Sequence, residues 1–300
     1  MAIVDIGASV IARLKQKSRD TGKSLQSYLQ LFCQEEFLRR LSLSKYNDSL
    51  VLKGGLFIYT LTNFESRATI DVDFLLRRFP GTIENMREII SEIVGTDTGN
   101  SFVRFESKGY VHITPQKKYQ GISFQMLGYI KNTRTPFNVD IGIGDIIVPG
   151  AEKRSIPVQL PGFNAPLIYT YSLESTVAEK LDAILQRMEL TSRMKDFYDI
   201  WYLSSTFRFE GRQLQEAVAE TLQNRGTAYD KDSLKKIMAL MDDRGMVSKW
   251  ELFSKRVALP GVTFQLVLTG IHNFITPVWN AIVTENELFS TWNPSNGKWE

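Results

Sequence analysis

The segment LKGGLFIYTLTNFESRATIDVDFLLRRF, residues 52–79, places a glycine pair before one apolar run and two aspartates inside another. Asp71 and Asp73 are separated by Val72 and followed by Phe-Leu-Leu, a pattern typical of a buried β-strand. Side chains at positions i and i+2 of a strand project from one face, so both carboxylates are predicted to point the same way. Their repulsion requires solvent, a proton or a cation nearby, and a divalent cation is the option that also provides a function.

The composition of the 300-residue chain is that of an ordinary globular protein, with 43% hydrophobic and 23% charged residues. A net charge of +3 permits contact with nucleic acid or nucleotide phosphates without requiring it. The single cysteine, Cys33, excludes an internal disulfide and lies in an amphipathic helical pattern, so we expect a core residue rather than a nucleophile. Only His112 and His272 are present, which argues against a zinc site or a histidine-based triad.

The amino-terminal sequence MAIVDIGASVIARLKQK lacks the apolar core of a signal peptide. We also expect no apolar segment to approach the length of a membrane span. A soluble, cytoplasmic protein with no membrane partner is therefore predicted.

The pattern of apolar residues divides the chain into four segments. Residues 1–46 predict an N-terminal helical arm, residues 47–150 a sheet domain, residues 151–171 a proline-containing connector with a short strand, and residues 172–300 a helical domain. The arm holds two predicted helices, at residues 5–19 and 24–42. Six runs predict strands of the sheet domain: SLVLKGG, TIDVDFLL, SFVRFES, VHITP, GISFQMLGYI and FNVDIGIGDIIV. With one helix, TIENMREIISEIV, among them, they indicate an α/β or α+β fold.

A third candidate carboxylate is Asp140 in PFNVDIGIGDII. On a strand, Asp140, Gly142 and Gly144 share one face, where a ligand or another backbone can come close. The same glycines are equally consistent with a bulge, and acids are common at sheet edges. The residues alone leave both interpretations open.

The helix predicted from Leu173 to about Leu190 carries two cations at an unusual position. One stripe of it is apolar, and the opposite side, predicted to be solvated, carries Glu179, Asp182, Gln186 and Glu189. Lys180 and Arg187 lie along the border of the apolar stripe, where their aliphatic stems could simply cover apolar surface. In the next helix, SRMKDFYDIWYL, Asp196 and Asp199 are one turn apart. They form either a salt-bridged surface or an anchor for the Lys180 ammonium group.

These four motifs, in this order, resemble the AbiEii/AbiGii toxin family of nucleotidyltransferases, the toxin arm of type IV toxin-antitoxin and abortive-infection systems within the polymerase-beta-like superfamily. The resemblance runs from RLSLSKYNDSLVLKGGLF through ATIDVDFL, FNVDIGIGDII and TVAEKLDAILQR to SRMKDFYDIWYL and RFEGRQLQEAV. It implies a polymerase-beta-like sheet domain with an N-terminal helical arm and a C-terminal helical domain.

The resemblance also implies roles for the acidic motifs. Gly54 and Gly55 would let backbone N–H groups approach a nucleoside triphosphate. Asp71 and Asp73 would ligate Mg²⁺, with Asp140 as the third acidic position, which would also orient or deprotonate the attacking hydroxyl group.

The remaining implied site residues belong to the helical motifs. Lys180 and Arg187 would contact the nucleotide phosphates, and Asp196 would position Lys180. One departure is Leu56, which follows the glycine pair where many superfamily members carry Ser or Thr. The chain therefore lacks a hydroxyl contact to phosphate from that position.

The implied activity is transfer of a nucleotide from a nucleoside triphosphate to an RNA acceptor, the tRNA 3′ end, with a cognate antitoxin as partner. Scattered cations give only permissive support: Arg77, Arg78, Lys117, Lys118, Lys131 and Arg134. An acceptor on a protein side chain is the first alternative, and a non-catalytic nucleotide-binding module the second. A metal-dependent glycosyltransferase also uses D-x-D, but it has no place for the Lys180 and Asp196 motifs.

Overall fold

The computed structural model describes residues 5–113 and 121–300, and the chain divides into two compact units. The sheet unit comprises Met1–Gly144 and Glu152–Thr170, and the helical unit comprises Asp145–Ala151 and Tyr171–Glu300. The chain therefore passes from one unit to the other three times. Most of the predicted connector lies in the sheet unit, because its prolines flank two short strands rather than interrupting them.

The helices of the sheet unit are α1 (Ile6–Thr21), α2 (Leu25–Leu43), α3 (Gly54–Leu61) and α4 (Ile83–Gly95). Its strands are β1 (Leu50–Lys53), β2 (Asp71–Leu76), β3 (Val103–Ile113), β4 (Gly121–Ile130), β5 (Thr133–Gly142), β6 (Glu152–Ser155) and β7 (Leu167–Thr170). Among the described residues these strands form one mixed sheet in the order β3-β4-β5-β2-β1-β7-β6. The predicted α/β class is confirmed, as are both N-terminal helices and the helix TIENMREIISEIV.

The starts of the helices follow local capping rules. Asp5, Ser24 and Thr82 each accept a hydrogen bond from the backbone N–H three residues later, at the beginning of α1, α2 and α4. Two predicted strands, SFVRFES and VHITP, are joined in β3, which contains a register shift between Ser107 and Gly109. The end of the VHITP run lies outside the described residues.

Helix α2 is a central element of the sheet unit. Its Phe37 ring centroid lies 6.1 Å from that of Phe74 on β2 and 6.3 Å from that of Phe137 on β5. Cys33 is fully buried, and burial raises the pKa of its thiol to about 12, which confirms the prediction of a core residue. Helix α2 thus covers the apolar face of the sheet.

The expected amphipathic pattern of α2 is wrong, because its charged side chains are buried as well. Arg39 donates to Glu36 at 2.8 Å and to Glu35 at 3.1 Å, and Arg40 donates to the carbonyl oxygen of Val103 at 2.7 Å. These hydrogen bonds satisfy the polar side chains inside the unit, so α2 can be surrounded on nearly all sides.

The helices of the helical unit are α5 (Leu173–Arg187), α6 (Met194–Thr206), α7 (Gly211–Arg225), α8 (Ser233–Ala239), α9 (Arg244–Arg256) and α10 (Phe264–Val283). Three short strands form a second sheet: β8 (Phe209–Glu210), β9 (Thr291–Asn293) and β10 (Lys298–Trp299). We expected no apolar segment to reach the length of a membrane span. This was wrong for α10, which by length and composition alone is long and apolar enough to cross a membrane. Its inward side chains, including Leu268, Ile271 and Phe274, are fully buried, so α10 is packed as a core helix of this unit.

Candidate active site

Strand pairing places the predicted acids side by side. Strands β2 and β5 run parallel with Asp73 opposite Asp140, and β4 places Ser123 opposite Asp140 on the other side. Strand β1 places Lys53 opposite Asp73. Because paired residues project from the same face, these four side chains form a row across adjacent strands. Asp71 lies on the same face, since it is two residues from Asp73 on β2.

The acidic face is the one that α2 does not cover. Asp71, Asp73 and Asp140 are half-buried, whereas Val72 and Val139, which point to the opposite face, are fully buried. This alternation explains how an apolar strand can carry two aspartates. Their carboxylates project away from the core, toward the open side of the sheet.

Two neutral side chains hold the acids in position. Asn138 Nδ2 donates a hydrogen bond to Asp71 Oδ1 at 3.0 Å, and Ser123 Oγ donates to Asp140 Oδ1 at 2.5 Å. Hydrogen bonds to ionised groups stabilise them more than bonds to neutral groups do. Each bond fixes one oxygen of its carboxylate.

The predicted glycine turn is the first turn of α3, and it packs against Asp73. Gly54 has a φ of +69°, in the left-handed region that favours glycine. A Cβ atom on Gly54 would also lie 2.6 Å from Asp73 Cγ and 2.9 Å from Asp73 Cβ. A Cβ on Gly55 would lie 3.3 Å from Arg67 Nη1. Leu56, in contrast, is fully buried, so its side chain belongs to the core.

The carboxylates match the chemistry of a hard divalent cation without forming a complete cage. Within residues 5–113 and 121–300, no three His, Cys, Asp or Glu side chains converge as a metal-binding group. Mg²⁺ is usually held by one or two carboxylates together with substrate phosphates and water, so a closed protein cage is not required. Asp71 and Asp73 fit that partial ligand set, and Asp140 lies on the neighbouring strand.

In the helical unit, Lys180 is buried between two aspartates. Its Nζ lies 3.0 Å from Asp196 Oδ1 on α6 and 3.0 Å from Asp199 Oδ2. Arg193 Nε lies 2.8 Å from the second oxygen of Asp196. The side chain of Lys180 is only 11% exposed, so its stem does not carry the ammonium group to solvent. Asp196 is therefore in direct contact with the Lys180 ammonium group.

Arg187 occupies a different environment from Lys180. It lies in the last turn of α5 and is exposed, and its position seven residues after Lys180 corresponds to a rise of about 10.5 Å along the helix. Lys180 is therefore held in a buried ion pair, whereas Arg187 faces solvent.

The opposite side of α5 is only partly solvated: Gln186 is exposed as predicted, whereas Asp182 is buried. Arg225 on α7 lies 2.9 Å from Asp182, 3.0 Å from Glu179 and 2.8 Å from Asp145. Asp182 is fully buried, because a guanidinium group from another helix stabilises its charge. The sequence of α5 alone gives no signal for this partner. The side chain of Glu189 lies outside the described residues.

Sequence reasoning missed several neighbours of the acids. Asn138 could have been found, because it lies two residues before Asp140 and shares its face of the strand. Asp199, which the sequence already offered with Asp196 as a possible anchor for Lys180, is as close to Lys180 as Asp196 is. Ser123 and Lys53 depend on strand register, which the sequence does not show.

Three of the four scattered cations that the structure describes have structural partners. Arg77 donates to the carbonyl oxygen of Asp48, Arg78 pairs with the Asp48 carboxylate, and Lys131 pairs with Asp5. Lys117 and Lys118 lie outside the described residues.

Comparison with known proteins agrees with this geometry. A family profile described as nucleotidyl transferase AbiEii toxin, type IV toxin-antitoxin system, matches residues 36–269. The structure of JHP933 from Helicobacter pylori is similar, with a TM-score of 0.50, 12% identity, and coverage of 87% of this chain and 95% of that chain. This likeness shows the fold alone.

A second Helicobacter pylori structure, described as a candidate nucleotidyltransferase, has a TM-score of 0.48 and 11% identity, over 88% of this chain and 99% of that chain. No curated protein sequence matches the chain. Because the family profile spans well over half of the residues, the chain belongs to the AbiEii family of nucleotidyltransferase toxins of type IV toxin-antitoxin systems.

Proposed function

We propose that this nucleotidyltransferase uses Mg²⁺ to transfer a nucleoside monophosphate from a nucleoside triphosphate to an RNA acceptor, the 3′ end of tRNA, in the cytoplasm. The observation that carries the proposal is the pairing of Asp73 with Asp140 on adjacent strands, with Asp71 on the same face and Gly54 against Asp73. An antitoxin partner and a nucleotide substrate follow from the family.

Each acid has a distinct role in this proposal. Held by Asp71 and Asp73, with Asp140 beside them, Mg²⁺ would supply charge neutralisation of the triphosphate and the leaving pyrophosphate. Asp140, oriented by Ser123, accepts the proton of the acceptor hydroxyl group. The hydroxyl oxygen then bonds to the α-phosphorus, the bond from that phosphorus to the bridging oxygen breaks, and pyrophosphate leaves.

The backbone at the start of α3 supports the nucleotide role. Gly54 and Gly55 allow a ligand to approach the first N–H groups of the helix, where the helix dipole favours anions. Lys180 and Arg187 bind the nucleotide phosphates in this proposal. The two carboxylates that fix the Lys180 ammonium group in place support a preorganised contact rather than a mobile one.

The test is transfer of α-labelled nucleotide. Wild-type protein, an Asp71→Asn, Asp73→Asn variant and an Asp20→Asn control on the exposed surface of α1 are incubated with total tRNA and each nucleoside triphosphate. Mg²⁺, Mn²⁺ or Ca²⁺ is supplied in turn, with chelator as the blank. We expect label on tRNA from wild type and the control with Mg²⁺, and its loss from the double variant.

The other outcomes are equally informative. Label on protein alone would refute the RNA acceptor and favour modification of a protein side chain. Nucleotide binding that survives in the double variant, together with no product from wild type, would refute turnover.

A further inference from the structure

The open face of the sheet carries a second polar cluster, which we call the basic patch: Arg104, Glu106, Lys108, Tyr129 and Arg134. Tyr129 on β4 lies opposite Arg104 on β3 and opposite Arg134 on β5. The guanidinium carbon of Arg104 is 4.1 Å from the centroid of the Tyr129 ring, a stacked cation-π contact. Arg104 and Arg134 are exposed, and Tyr129 is half-exposed.

The charge of the basic patch is positive. Its one carboxylate, Glu106, bonds to Lys108 Nζ at 2.6 Å and accepts a hydrogen bond from the Tyr129 hydroxyl group at 2.8 Å. The hydrogen bond between Lys108 and Glu106 raises the pKa of Lys108, although the nearby Arg134 opposes the shift. Three cations and one carboxylate give a net charge of +2, and both arginines are exposed.

The basic patch and the acids share one face of the same sheet. On β5, residues 134, 136, 138 and 140 are exposed or half-exposed, and the residues between them are buried. Arg134 and Asp140 therefore project from the same side, six residues apart. At about 3.3 Å per residue, the distance along the strand is about 20 Å. Between the basic patch and the acids on this face lie Gln125, Leu127 and Pro136, whose side chains are half-exposed or exposed.

This arrangement fits a stacked nucleic-acid strand. Exposed guanidinium groups pair with phosphates, and an aromatic ring with a stacked arginine offers a platform for a base. A strand stacked at about 3.4 Å per nucleotide covers 20 Å with about six nucleotides. Building on the proposed function, we propose that the basic patch binds the RNA acceptor about six nucleotides before its reacting 3′ end.

The test compares RNA acceptors of two lengths with the same 3′ sequence, a trinucleotide and a dodecamer. The variant is Arg104→Gln with Arg134→Gln. The control is Arg87→Gln, an exposed arginine on α4 that lies over the Tyr110 ring. We expect the double variant to lower kcat/KM about 10- to 100-fold for the dodecamer and to leave the trinucleotide unchanged. The slope of log(kcat/KM) against log[salt] should weaken by about 1.4, since each lost phosphate contact is worth about 0.7 on a single strand.

Two results would overturn the inference and leave the proposed function standing: equal dodecamer activity in the double variant and wild type, or an equal loss on both acceptors. If wild type labels no RNA, fluorescence anisotropy with the labelled dodecamer still decides. Weaker binding by the double variant alone supports the patch, and unchanged binding overturns it. Displacement of the dodecamer by polyglutamate at equal charge would assign the surface to an acidic protein instead.

Discussion

Replacing Gly54 by alanine should remove most of the nucleotidyl transfer and only a small part of the stability. The left-handed backbone conformation at φ +69° costs an L-residue about 1–2 kcal/mol. The new methyl group would also lie 2.6 Å from Asp73 Cγ, whereas ordinary contacts begin at 3.4 Å. Asp73 Oδ2 would lie nearer still, so the carboxylate must move by at least about 0.8 Å, and a misplacement of about 1 Å can cost about 100-fold in rate.

Gly22 provides the matched control within the same unit. It has a φ of +72° at the end of α1, and nothing lies within 4 Å of a Cβ placed there. Both variants should lose about 1–2 kcal/mol of stability, a decrease in Tm of roughly 2–8 °C. Only Gly54→Ala should lose about 100-fold in kcat/KM, measured by metal-dependent transfer alongside thermal melting. The reasoning fails if the two variants agree in kcat/KM within about threefold.

Three further outcomes follow from buried or bonded charges. Lys180→Met should cost about 3–5 kcal/mol in urea unfolding because buried carboxylates lose their cation. Adding Asp199→Asn should recover part of this loss, and a double variant no more stable than the single one would contradict the pairing. Burial raises the pKa of Glu35 to about 8 from an ordinary 4.5, so the folded state keeps a proton that the unfolded chain releases. Stability should therefore fall as the pH rises between about 4.5 and about 8. Over that range the urea unfolding midpoint of Glu35→Gln should rise relative to that of wild type. A difference between the two midpoints that stays constant with pH would refute this. Ser123→Ala removes the hydrogen bond to Asp140 and should lower kcat about 10-fold, whereas Ser123→Thr, which keeps the hydroxyl group, should retain activity; equal rates would exclude the role.

The sequence predicted the features that depend on neighbouring residues. The common face of Asp71 and Asp73 follows from the two-residue period of a strand, and the helix starts follow from capping residues. The pairing of Asp73 with Asp140 also needs the register of two strands that lie about 65 residues apart in the chain. No local pattern contains that register, so Ser123 could not be placed beside Asp140 from the sequence.

Burial of charge was the other failure of sequence reasoning. The acids of α2 and Asp182 of α5 looked like surface residues because only one helix was considered at a time. Their cations come from the same helix in one case and from α7 in the other, and both sets are buried. A helical pattern shows which side chains share a face, but it does not show which element covers that face.

The chain passes between the two units three times, and this path determines how the sheet can be completed during synthesis. Strand β1 pairs with β2 on one side and in parallel with β7 on the other, and β7 ends only at Thr170. A fragment ending at Gly144 would expose the backbone donors and acceptors of β1, an apolar edge prone to pair with other chains. Chains are made from the N-terminus, so the strands that carry the aspartates emerge before the strand that closes their sheet. The sheet that carries the aspartates is therefore not separable as an N-terminal fragment, and truncation of this toxin is expected to produce aggregation rather than a minimal enzyme.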